Sequence, residues 1–416
     1  MCCRLHPLSE PPCHIVIVGA GHAGGRAAEA LRAAGFAGPV TLIGSETHLP
    51  YERPPLSKDL LAGKIAPDRT YIKPAAFYDE AKIELRLGTT VAEIDRAAQR
   101  LRLADGGTMP YDKLLLTTGA RPRRLAVPGS EDAPVFYLRD IDDALALRQA
   151  IGPGKHLAVI GAGFIGLEAA AIARRLDCAV TVIELAQTPL ARVAAPEIGE
   201  FFAALHRRNG VDLRTGRSVA AIDAWDGKVA VALSNGDALT ADALLVGIGA
   251  VPNTELARAA GLVVDDGIVV DQFGFTMDPN VFAAGDVTRH FNPLLGRSVR
   301  LEAWQNAQNQ AIAVAKIMAG GETPYAELPW FWSDQYDINF QTAGMAERWD
   351  QLVWRGKAED GRFTLFYLDG GVPVAGATVN NARDMRFVKL LVAQGKPVDA
   401  ARLGDPAVKL QDLCPR

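Results

Sequence analysis

IVIVGAGHAG at residues 15–24 and LAVIGAGFIG at residues 157–166 decide the fold of this chain. In each, four apolar residues typical of a buried parallel strand lead into a GxGxxG turn, and an alanine-rich helix follows. The first glycine permits the turn, the second lets the backbone approach a pyrophosphate, and the third lets helix and strand touch. Free N–H groups at the helix start can bind phosphate oxygens. The repeated motif therefore predicts two Rossmann-like domains and two bound dinucleotides.

The second strand of each domain is expected to end in an acid that accepts hydrogen bonds from ribose hydroxyls. VTVIE at 180–184 ends in Glu184, which also repels a 2′-phosphate, and no arginine immediately follows it. The second site is therefore predicted to favour NADH over NADPH. In the first domain a glycine follows VTLI at 40–43, so Ser45 or Glu46 can meet the ribose; we favour Glu46. For both glutamates the alternative interpretation is a solvated charge at a strand end.

Length and composition suit this architecture, because 416 residues suggest two or three domains and 49% hydrophobic residues can fill several cores. A net charge of −4 indicates no general attraction to nucleic acid or anionic lipid. No apolar run reaches the roughly 18 to 20 residues that span a bilayer. The first 13 residues lack the apolar core of a signal peptide. We therefore expect a soluble, cytoplasmic protein that binds neither nucleic acid nor membrane.

The spacing of the cysteines and histidines argues against a flavin disulfide reductase and against a metal site. The five cysteines are Cys2, Cys3, Cys13, Cys178 and Cys414. None forms the CxxC or CxxxxC pair of flavin disulfide reductases. The seven histidines lack metal-ligand spacing, so we expect no metal site. Residues 1–13, which hold three of the cysteines, are expected to be a flexible leader without a role.

The order of segments predicts that the second nucleotide-binding domain is inserted into the first. Strand-like stretches at 111–120 and 242–253 close the two domains, and NVFAAGD at 280–286 then places Asp286 at the end of an apolar strand. There its carboxylate can hold a sugar-like hydroxyl. A long helix is predicted over 302–319. From about residue 328, short alternating strands and a terminal helical stretch indicate a third, smaller α+β domain.

Five further motifs carry a family resemblance. They are RPPLSK at 53–58, FIGLE at 164–168, AAGD at 283–286, EAWQNA at 302–307 and WFWSDQ at 330–335. With them, the chain from about residue 14 onward resembles the FAD-dependent, NADH-dependent ferredoxin reductases that serve bacterial oxygenases. The resemblance implies a glutathione-reductase-like fold.

The resemblance also implies that the first fingerprint binds FAD, without a covalent bond, and that the inserted one binds NADH. The FAD domain is then 14–119 with 250–327, the NADH domain 120–249 and the C-terminal domain 328–416. Contacts to FAD are expected at Gly19, Gly21, Ala23, Gly24, Glu46, Arg53, Lys58, Val91, Arg139, Asp286 and Trp304. Contacts to NADH are expected at Gly161, Gly163, Ile165, Gly166, Glu184 and Gly249. For Trp304 the alternative is an ordinary aromatic residue of a helix core.

Similarity to the family places Lys58 and Glu168 together beside the isoalloxazine ring as the catalytic pair. There the lysine stabilises anionic reduced flavin, and the glutamate orients the lysine and helps to set the nicotinamide position. The alternatives are a solvated Lys58 after two prolines, and a first-turn acid at 168 that the helix dipole favours.

Electrons that enter as hydride must leave through a separate acceptor, because the chain has no redox-active cysteine pair and no metal cluster. The resemblance implies two single transfers to a [2Fe–2S] ferredoxin that feeds an oxygenase. An acidic ferredoxin needs a basic docking surface. Candidates are Arg297, Arg300, Arg383, Arg386, Lys389 and Lys409, each of which could equally be a solvated surface charge. Trp330 and Trp332 either line the electron route or serve packing.

Other functions stay open at this point. A related flavoprotein could use rubredoxin, monodehydroascorbate or a quinone as acceptor. A protein resembling apoptosis-inducing factor would instead sense NADH and change its assembly. An NADH oxidase or peroxidase is disfavoured, since residues 41–60 contain no cysteine. Nothing in the sequence requires more than a monomer or weak dimer.

Overall fold

The computed structural model describes residues 13–131, 133–225 and 227–414. Most of the predicted leader, with Cys2 and Cys3, lies outside these residues. The described chain forms two compact units. The first comprises the residues up to Glu52, Thr70–Ala120 and Pro252–Glu327, and the second comprises Arg53–Arg69, Arg121–Val251 and the chain from Leu328 onward.

A five-stranded parallel sheet forms the centre of the first unit. Its strands, in spatial order, are Val281–Ala283, Lys113–Leu116, Ile15–Val18, Val40–Ile43 and Ile83–Arg86. Ile15, Val16 and Ile17 have no exposed surface, as expected in a parallel sheet that is covered on both faces. The strands predicted at 15–18 and 40–43 are confirmed.

Helices and two small three-stranded sheets complete the first unit. The helices are His22–Ala33, Ala75–Glu80, Glu255–Ala259 and Trp304–Met318. One small sheet contains Val91–Asp95, Arg100–Leu103 and Thr108–Pro110, and the other Ile268–Val270, Thr288–Asn292 and Arg297–Val299. The first and last helices contribute buried alanines to one core, among them Ala27 and Ala311. The helix predicted over 302–319 is thus observed, within two residues at its start.

The second unit repeats the strand, turn and helix around its own parallel sheet. The strands, in spatial order, are Val211–Arg214, Ala179–Ile183, His156–Ile160, Ala243–Val246 and Val135–Phe136. The helices are Ile141–Ala150, Phe164–Arg175 and Pro196–Arg208. A small antiparallel sheet contains Val219–Trp225, Lys228–Leu233 and Ala238–Ala241, and the short strands Ala120–Pro122 and Ala250–Pro252 pair with each other.

An antiparallel sheet forms the C-terminal part of the second unit. Its strands, in spatial order, are Trp330–Gln335, Ile338–Gly344, Val372–Val379, Arg362–Asp369 and Gln351–Lys357. The helices Ala382–Gln394 and Ala400–Gly404 follow, and 3₁₀ turns occur at Pro54–Ser57, Pro67–Thr70, Ala358–Asp360 and Leu410–Leu413. Phe363 and Leu365 share a core with Phe202. This sheet therefore packs against the nucleotide-binding part of the second unit.

The predicted fold class is confirmed: two parallel, Rossmann-like sheets and a smaller α+β part. The glycine turns, Glu46, Glu184 and Asp286 all follow the carboxyl ends of parallel strands. Ligands of open α/β sheets bind at these ends. Each sheet therefore presents its predicted contact residues at the edge where a nucleotide is expected.

Candidate functional site

The first glycine turn has room only for glycine at two of its positions. Gly19 has a φ of +114°, and a Cβ there would lie 2.2 Å from the carbonyl oxygen of Thr117. A Cβ at Gly24 would lie 2.0 Å from the carbonyl oxygen of Gly19. The Thr117 hydroxyl also donates to the Gly19 carbonyl at 2.8 Å. The helix start is therefore held directly against the turn, as a pyrophosphate site requires.

The second turn has the same construction. Gly161 has a φ of +99°, and a Cβ at Gly166 would lie 2.2 Å from the Gly161 carbonyl oxygen. At Gly163 the nearest atom to a Cβ is the Gly247 carbonyl oxygen, 3.9 Å away. Gly163 caps its helix without a side-chain hydrogen bond, as Gly21 does in the first turn. The open face at Gly163 and the uncapped helix start fit a pyrophosphate group.

The two strand-end acids have different hydrogen-bond donors: backbone N–H groups at Glu184 and a side-chain hydroxyl at Glu46. The Glu184 carboxylate accepts from the N–H groups of Ala162, at 2.6 Å, and Ala186, at 2.8 Å. It therefore lies against the second glycine turn. Glu46 accepts a hydrogen bond from the Tyr51 hydroxyl. The half-buried Glu184 is thus more than the solvated strand-end charge of the alternative interpretation.

The loop that carries Asp286 is fixed by a buried glutamine. Gln310 is 1% exposed, and its Oε1 accepts from the Gly285 N–H at 2.8 Å and from the Thr288 hydroxyl at 3.0 Å. Gly285 has a φ of +86°, and a Cβ there would lie 3.1 Å from Cβ of Ala23. The loop with Asp286 therefore lies beside the first glycine turn. Gln310 could not be predicted from the sequence, since a glutamine within a helix carries no functional signal.

Trp304 also lies near the first turn. Its ring centroid is 5.4 Å from that of His22, which is the first residue of the helix that follows the turn. The first unit therefore brings together Ala23, Asp286 and Trp304. In the same unit Val91 is half-buried and begins the strand Val91–Asp95.

Arg53 and Arg139 lie together in the second unit. The Arg53 guanidinium donates to the Arg139 carbonyl oxygen. The Arg139 N–H donates to Asp143 Oδ2 at 2.9 Å, just before the helix Ile141–Ala150. Near the second turn, a Cβ at Gly249 would lie 3.2 Å from the Arg192 guanidinium, and Ile165 is 45% exposed.

Lys58 and Glu168 form an ion pair within the second unit. Glu168 lies on the helix Phe164–Arg175 and is 4% exposed. Its Oε1 accepts from Lys58 and from the Ser333 hydroxyl, the latter at 2.6 Å, and its Oε2 accepts from the Ser57 hydroxyl. Three donors satisfy the buried carboxylate, as a charge removed from water requires. Neither residue is a solvated surface charge.

Ser57 and Ser333 are contacts of Glu168 to which sequence analysis assigned no role. Ser333 and Gln335 face the same way on one strand, since side chains alternate along it. Gln335 Nε2 donates to the Ser333 hydroxyl at 3.0 Å. The available signal was weak, because the strand ends in three consecutive polar residues, Ser333, Asp334 and Gln335, and only the first and third are buried.

An open groove of about 590 Å³ borders the helix Ala382–Gln394. Its lining combines apolar side chains with two cations, and consists of Leu328, Gln341, Ala382, Met385, Arg386, Lys389, Leu390 and Ala393. Lys389 Nζ lies 4.2 Å from the ring centroid of Trp330. The Trp330 and Trp332 rings stack with centroids 5.3 Å apart. Leu390 is 45% exposed.

The other predicted basic residues differ in exposure and pairing. Arg383 and Lys409 are exposed in the second unit, and Arg297 is exposed in the first. Arg300 pairs with Asp266 and Glu302, so its charge is largely offset. Among the predicted basic residues of the second unit, Arg386 and Lys389 line the same groove.

Cys13, Cys178 and Cys414 are free thiols. Within residues 13–131, 133–225 and 227–414, no group of three or more histidine, cysteine, aspartate or glutamate residues is arranged to hold a metal ion. In that same part of the chain, no helix is both long and apolar enough to cross a membrane.

Two family models match the chain. The model described as pyridine nucleotide-disulphide oxidoreductase matches residues 13–311. The model described as reductase C-terminal matches residues 330–414. The second match covers the antiparallel sheet and the helices that follow it.

Similar proteins include reductases of oxygenase systems. The ferredoxin–NAD(+) reductase component of the anthranilate 1,2-dioxygenase system of Burkholderia cepacia is 48% identical, over 95% of this chain and 98% of that protein. Putidaredoxin reductase of Pseudomonas putida is 40% identical, over 96% of each chain. A crystal structure of the covalent putidaredoxin reductase–putidaredoxin complex matches with a TM-score of 0.94 at 40% identity, covering 97% of this chain and 98% of that one.

Proposed function

We infer that this chain, which belongs to the pyridine nucleotide-disulphide oxidoreductase family, is an FAD-dependent NADH:ferredoxin reductase of an oxygenase system. The observation that carries this conclusion is its similarity, over nearly its whole length, to reductases of such systems. FAD is the cofactor and NADH is the electron donor. Two glycine turns that exclude side chains where helix meets strand suit these two dinucleotides.

We propose that the first glycine turn holds FAD and the second holds NADH. Beside the first turn, Asp286 would accept hydrogen bonds from hydroxyls of the ribityl chain, and Trp304 and Ala23 would contact the cofactor. Beside the second turn, Glu184 would accept hydrogen bonds from the adenosine ribose. Its carboxylate favours hydroxyls over a 2′-phosphate, which supports a preference for NADH over NADPH.

Bound FAD would supply the chemistry that converts a two-electron hydride donor, NADH, into a source of single electrons for the ferredoxin. We propose that Lys58 would hold a positive charge beside the flavin ring, where it would favour electron transfer onto the ring. Glu168 accepts only one of the three N–H donors of Lys58, so the ammonium group retains donors for the cofactor. The hydroxyls of Ser57 and Ser333 hold Glu168 in place. The pair therefore needs no bond-making step of its own.

We propose that the groove beside the helix Ala382–Gln394 docks the ferredoxin, which we take to be a [2Fe–2S] protein. Arg386 and Lys389 offer positive charge, and the exposed Leu390 in the same groove offers an apolar contact. Complementary charge speeds encounter with an acidic partner, and a small apolar centre then stabilises the complex. Trp330 lies next to Lys389 and stacks on Trp332, and the two rings would provide an aromatic path at this surface.

We further propose that the protein works in the cytoplasm as a monomer or weak dimer, and binds neither nucleic acid nor membrane. NADH is supplied there, and the free thiols of Cys13, Cys178 and Cys414 suit a reducing compartment. The net charge of −4 supports the absence of a nucleic-acid partner.

The first experiment mixes the FAD-loaded protein with NADH and a panel of [2Fe–2S] ferredoxins, and follows cytochrome c reduction with and without each ferredoxin. Strong dependence on one ferredoxin is expected. If NADH reduces the flavin but no ferredoxin accelerates turnover, the ferredoxin acceptor is wrong. A quinone, rubredoxin, monodehydroascorbate or NADH-sensing role then takes its place.

A charge reversal tests the docking surface. Lys389→Glu is expected to raise the KM for the ferredoxin about tenfold at low ionic strength. At high salt the increase in KM over the unsubstituted protein should be smaller. The matched control is Lys357→Glu. Lys357 is exposed on the edge strand Gln351–Lys357 of the antiparallel sheet, and the strand with Trp330 forms the other edge of that sheet. Reduction of the flavin by NADH should not change in either variant. Equal effects of the two substitutions would contradict the proposed surface.

A further inference from the structure

A chain of buried hydrogen bonds continues from Glu168 into the second unit. The Ser333 hydroxyl donates to Glu168 at 2.6 Å, and Gln335 Nε2 donates to Ser333 at 3.0 Å. Gln335 Oε1 then lies 2.8 Å from His206 Nε2. The Tyr336 hydroxyl lies 3.3 Å from His206 Nδ1. The chain therefore links Glu168 to a histidine on the helix Pro196–Arg208.

These hydrogen bonds have one possible direction. A serine hydroxyl has a single proton, and Ser333 gives it to a carboxylate that can only accept. Ser333 must then accept from the Gln335 amide, whose oxygen is left to accept from His206. The proton of the neutral histidine ring therefore lies on Nε2, and Nδ1 accepts from Tyr336. Every donor in the chain points toward Glu168.

The surroundings keep this direction in place. His206 and Ser333 have no exposed surface, and Gln335 is 1% exposed. Burial lowers the pKa of His206 to about 4, so the ring is neutral near pH 7 and carries one proton. Polar groups buried so deeply are costly unless every donor and acceptor is matched. Here each side-chain nitrogen and oxygen atom of Ser333, Gln335 and His206 has at least one hydrogen-bond partner.

We propose that Ser333, Gln335 and His206 form a positioning relay that holds the Glu168 carboxylate on Lys58. The relay supplies a donor to Glu168 without adding a charge, so the carboxylate keeps its full attraction for the ammonium group. The proposal rests on the proposed function, because it assigns to these residues an effect on flavin reduction through Lys58. The three residues are positioning residues, and Lys58 acts on the cofactor.

The first test reads the proton directly. Nitrogen-resolved histidine NMR spectra of the FAD-loaded protein report which ring nitrogen of His206 is protonated, with His206→Gln as the assignment control. The relay requires the proton on Nε2. A proton on Nδ1 would make Nε2 an acceptor, so the Gln335 amide would have to turn around and place its oxygen against Ser333. The single Ser333 proton would then face two acceptors, which would overturn the proposal whatever the activity of the protein.

The second test is a double-mutant cycle on the rate of flavin reduction by NADH. His206→Leu removes the donor and is expected to slow reduction about tenfold, the size of one hydrogen bond to a charged network. In a Glu168→Gln background the same change should have an effect of about twofold or less. His206→Gln keeps an N–H donor and should restore most of the rate. Equal effects of His206→Leu in both backgrounds would refute an action through Glu168.

A matched control separates this effect from loss of a buried histidine. His290 is 1% exposed, and burial also lowers its pKa to about 4. Its ring nitrogens have no hydrogen-bond partner within the described residues. His290→Leu should leave flavin reduction unchanged; a tenfold loss there would reduce the His206 effect to general destabilisation and overturn the proposal.

The two proposals fail in different ways. Reduction of the flavin by NADH needs no ferredoxin, so a wrong acceptor leaves both tests of the relay valid. If NADH does not reduce the flavin at all, the proposed function fails, while the NMR result still decides the direction of the hydrogen bonds.

Discussion

Alanine at the third glycine of each turn should separate the two cofactor sites. A Cβ at Gly24 would lie 2.0 Å from the Gly19 carbonyl oxygen, and one at Gly166 would lie 2.2 Å from that of Gly161. Both close atoms belong to the backbone, so a change of side-chain rotamer cannot relieve the clash. The helix start must move away from the turn by about 1 Å or more to reach ordinary contact. That movement displaces the N–H groups expected to bind the pyrophosphate.

The size of the effect follows from the cost of overpacking, which is about 1–3 kcal/mol for an added methyl group in a packed site. At about 1.4 kcal/mol per factor of ten, this corresponds to an affinity loss of about 5- to 150-fold. Gly24→Ala should therefore weaken FAD binding by this factor and leave NADH binding unchanged. Gly166→Ala should have the opposite effect, because the two turns belong to different units.

Two titrations measure these affinities. FAD binding to the apoprotein is followed by quenching of flavin fluorescence, and NADH binding by the concentration dependence of flavin reduction. Gly107→Ala is the control, since its new methyl group would meet only the flexible Asp105 side chain, at 3.1 Å, and Leu103 Cδ1, at 3.5 Å. If Gly24→Ala weakens NADH instead of FAD, the assignment of the two turns is reversed. If neither variant changes either affinity, then binding of the pyrophosphate does not depend on the close contact between the helix start and the glycine turn.

Three further predictions concern single carboxylates and histidines. Glu184→Ala should lower kcat/KM for NADH about tenfold, because the acceptor for the ribose hydroxyls is lost, and should lower the ratio of kcat/KM for NADH to that for NADPH. Steady-state kinetics with both nucleotides measure this ratio. An unchanged ratio would count against the role of Glu184. Glu168→Ala should lower the free energy of unfolding by about 3 kcal/mol, since it leaves Lys58 and two hydroxyls without their acceptor. The control is Glu200→Ala at an exposed position, which should change the free energy of unfolding by less than about 0.5 kcal/mol. Urea unfolding of the FAD-loaded protein compares the two variants, and equal losses would contradict the buried network. Burial lowers the pKa of His206 and His290 to about 4, below the value of about 6.5 in an unfolded chain. Between these values the unfolded chain binds more protons, so the free energy of unfolding should be full above about pH 6.5 and fall toward pH 4. His290→Leu should reduce this slope by about one proton in urea titrations across that range; an unchanged slope would show that His290 is not neutral in the fold.

Much of the nucleotide-binding architecture could be predicted from sequence because its determinants are local. At each fingerprint the strand, the turn and the helix are continuous, and the glycines meet a steric requirement of the turn itself. The same holds for the long helix Trp304–Met318. Asp286 was proposed for the same reason, since it lies three residues after the end of the short apolar strand Val281–Ala283.

The contacts of Glu168 depend on distant residues, and local patterns do not report them. Lys58 is 110 positions away from it and Ser333 is 165 positions away. Lys58 was paired with Glu168 only through the family resemblance. Ser333 lay within one of the motifs that carry the resemblance, but no role was predicted for it. His206 carried no signal at all, because a lone histidine on an amphipathic helix is usually an ordinary buried residue.

The sequence by itself determined the two Rossmann-like units, the glycine turns and the acids at the strand ends, since steric limits and hydrophobic periodicity act over a few neighbouring residues. Only the tertiary structure decided that Glu168 is buried among Lys58, Ser57 and Ser333, and that the network reaches His206. Hydrogen bonds form within a few tenths of an ångström. Distances of that size between remote residues are set by the packing of whole strands and helices, which no local pattern contains.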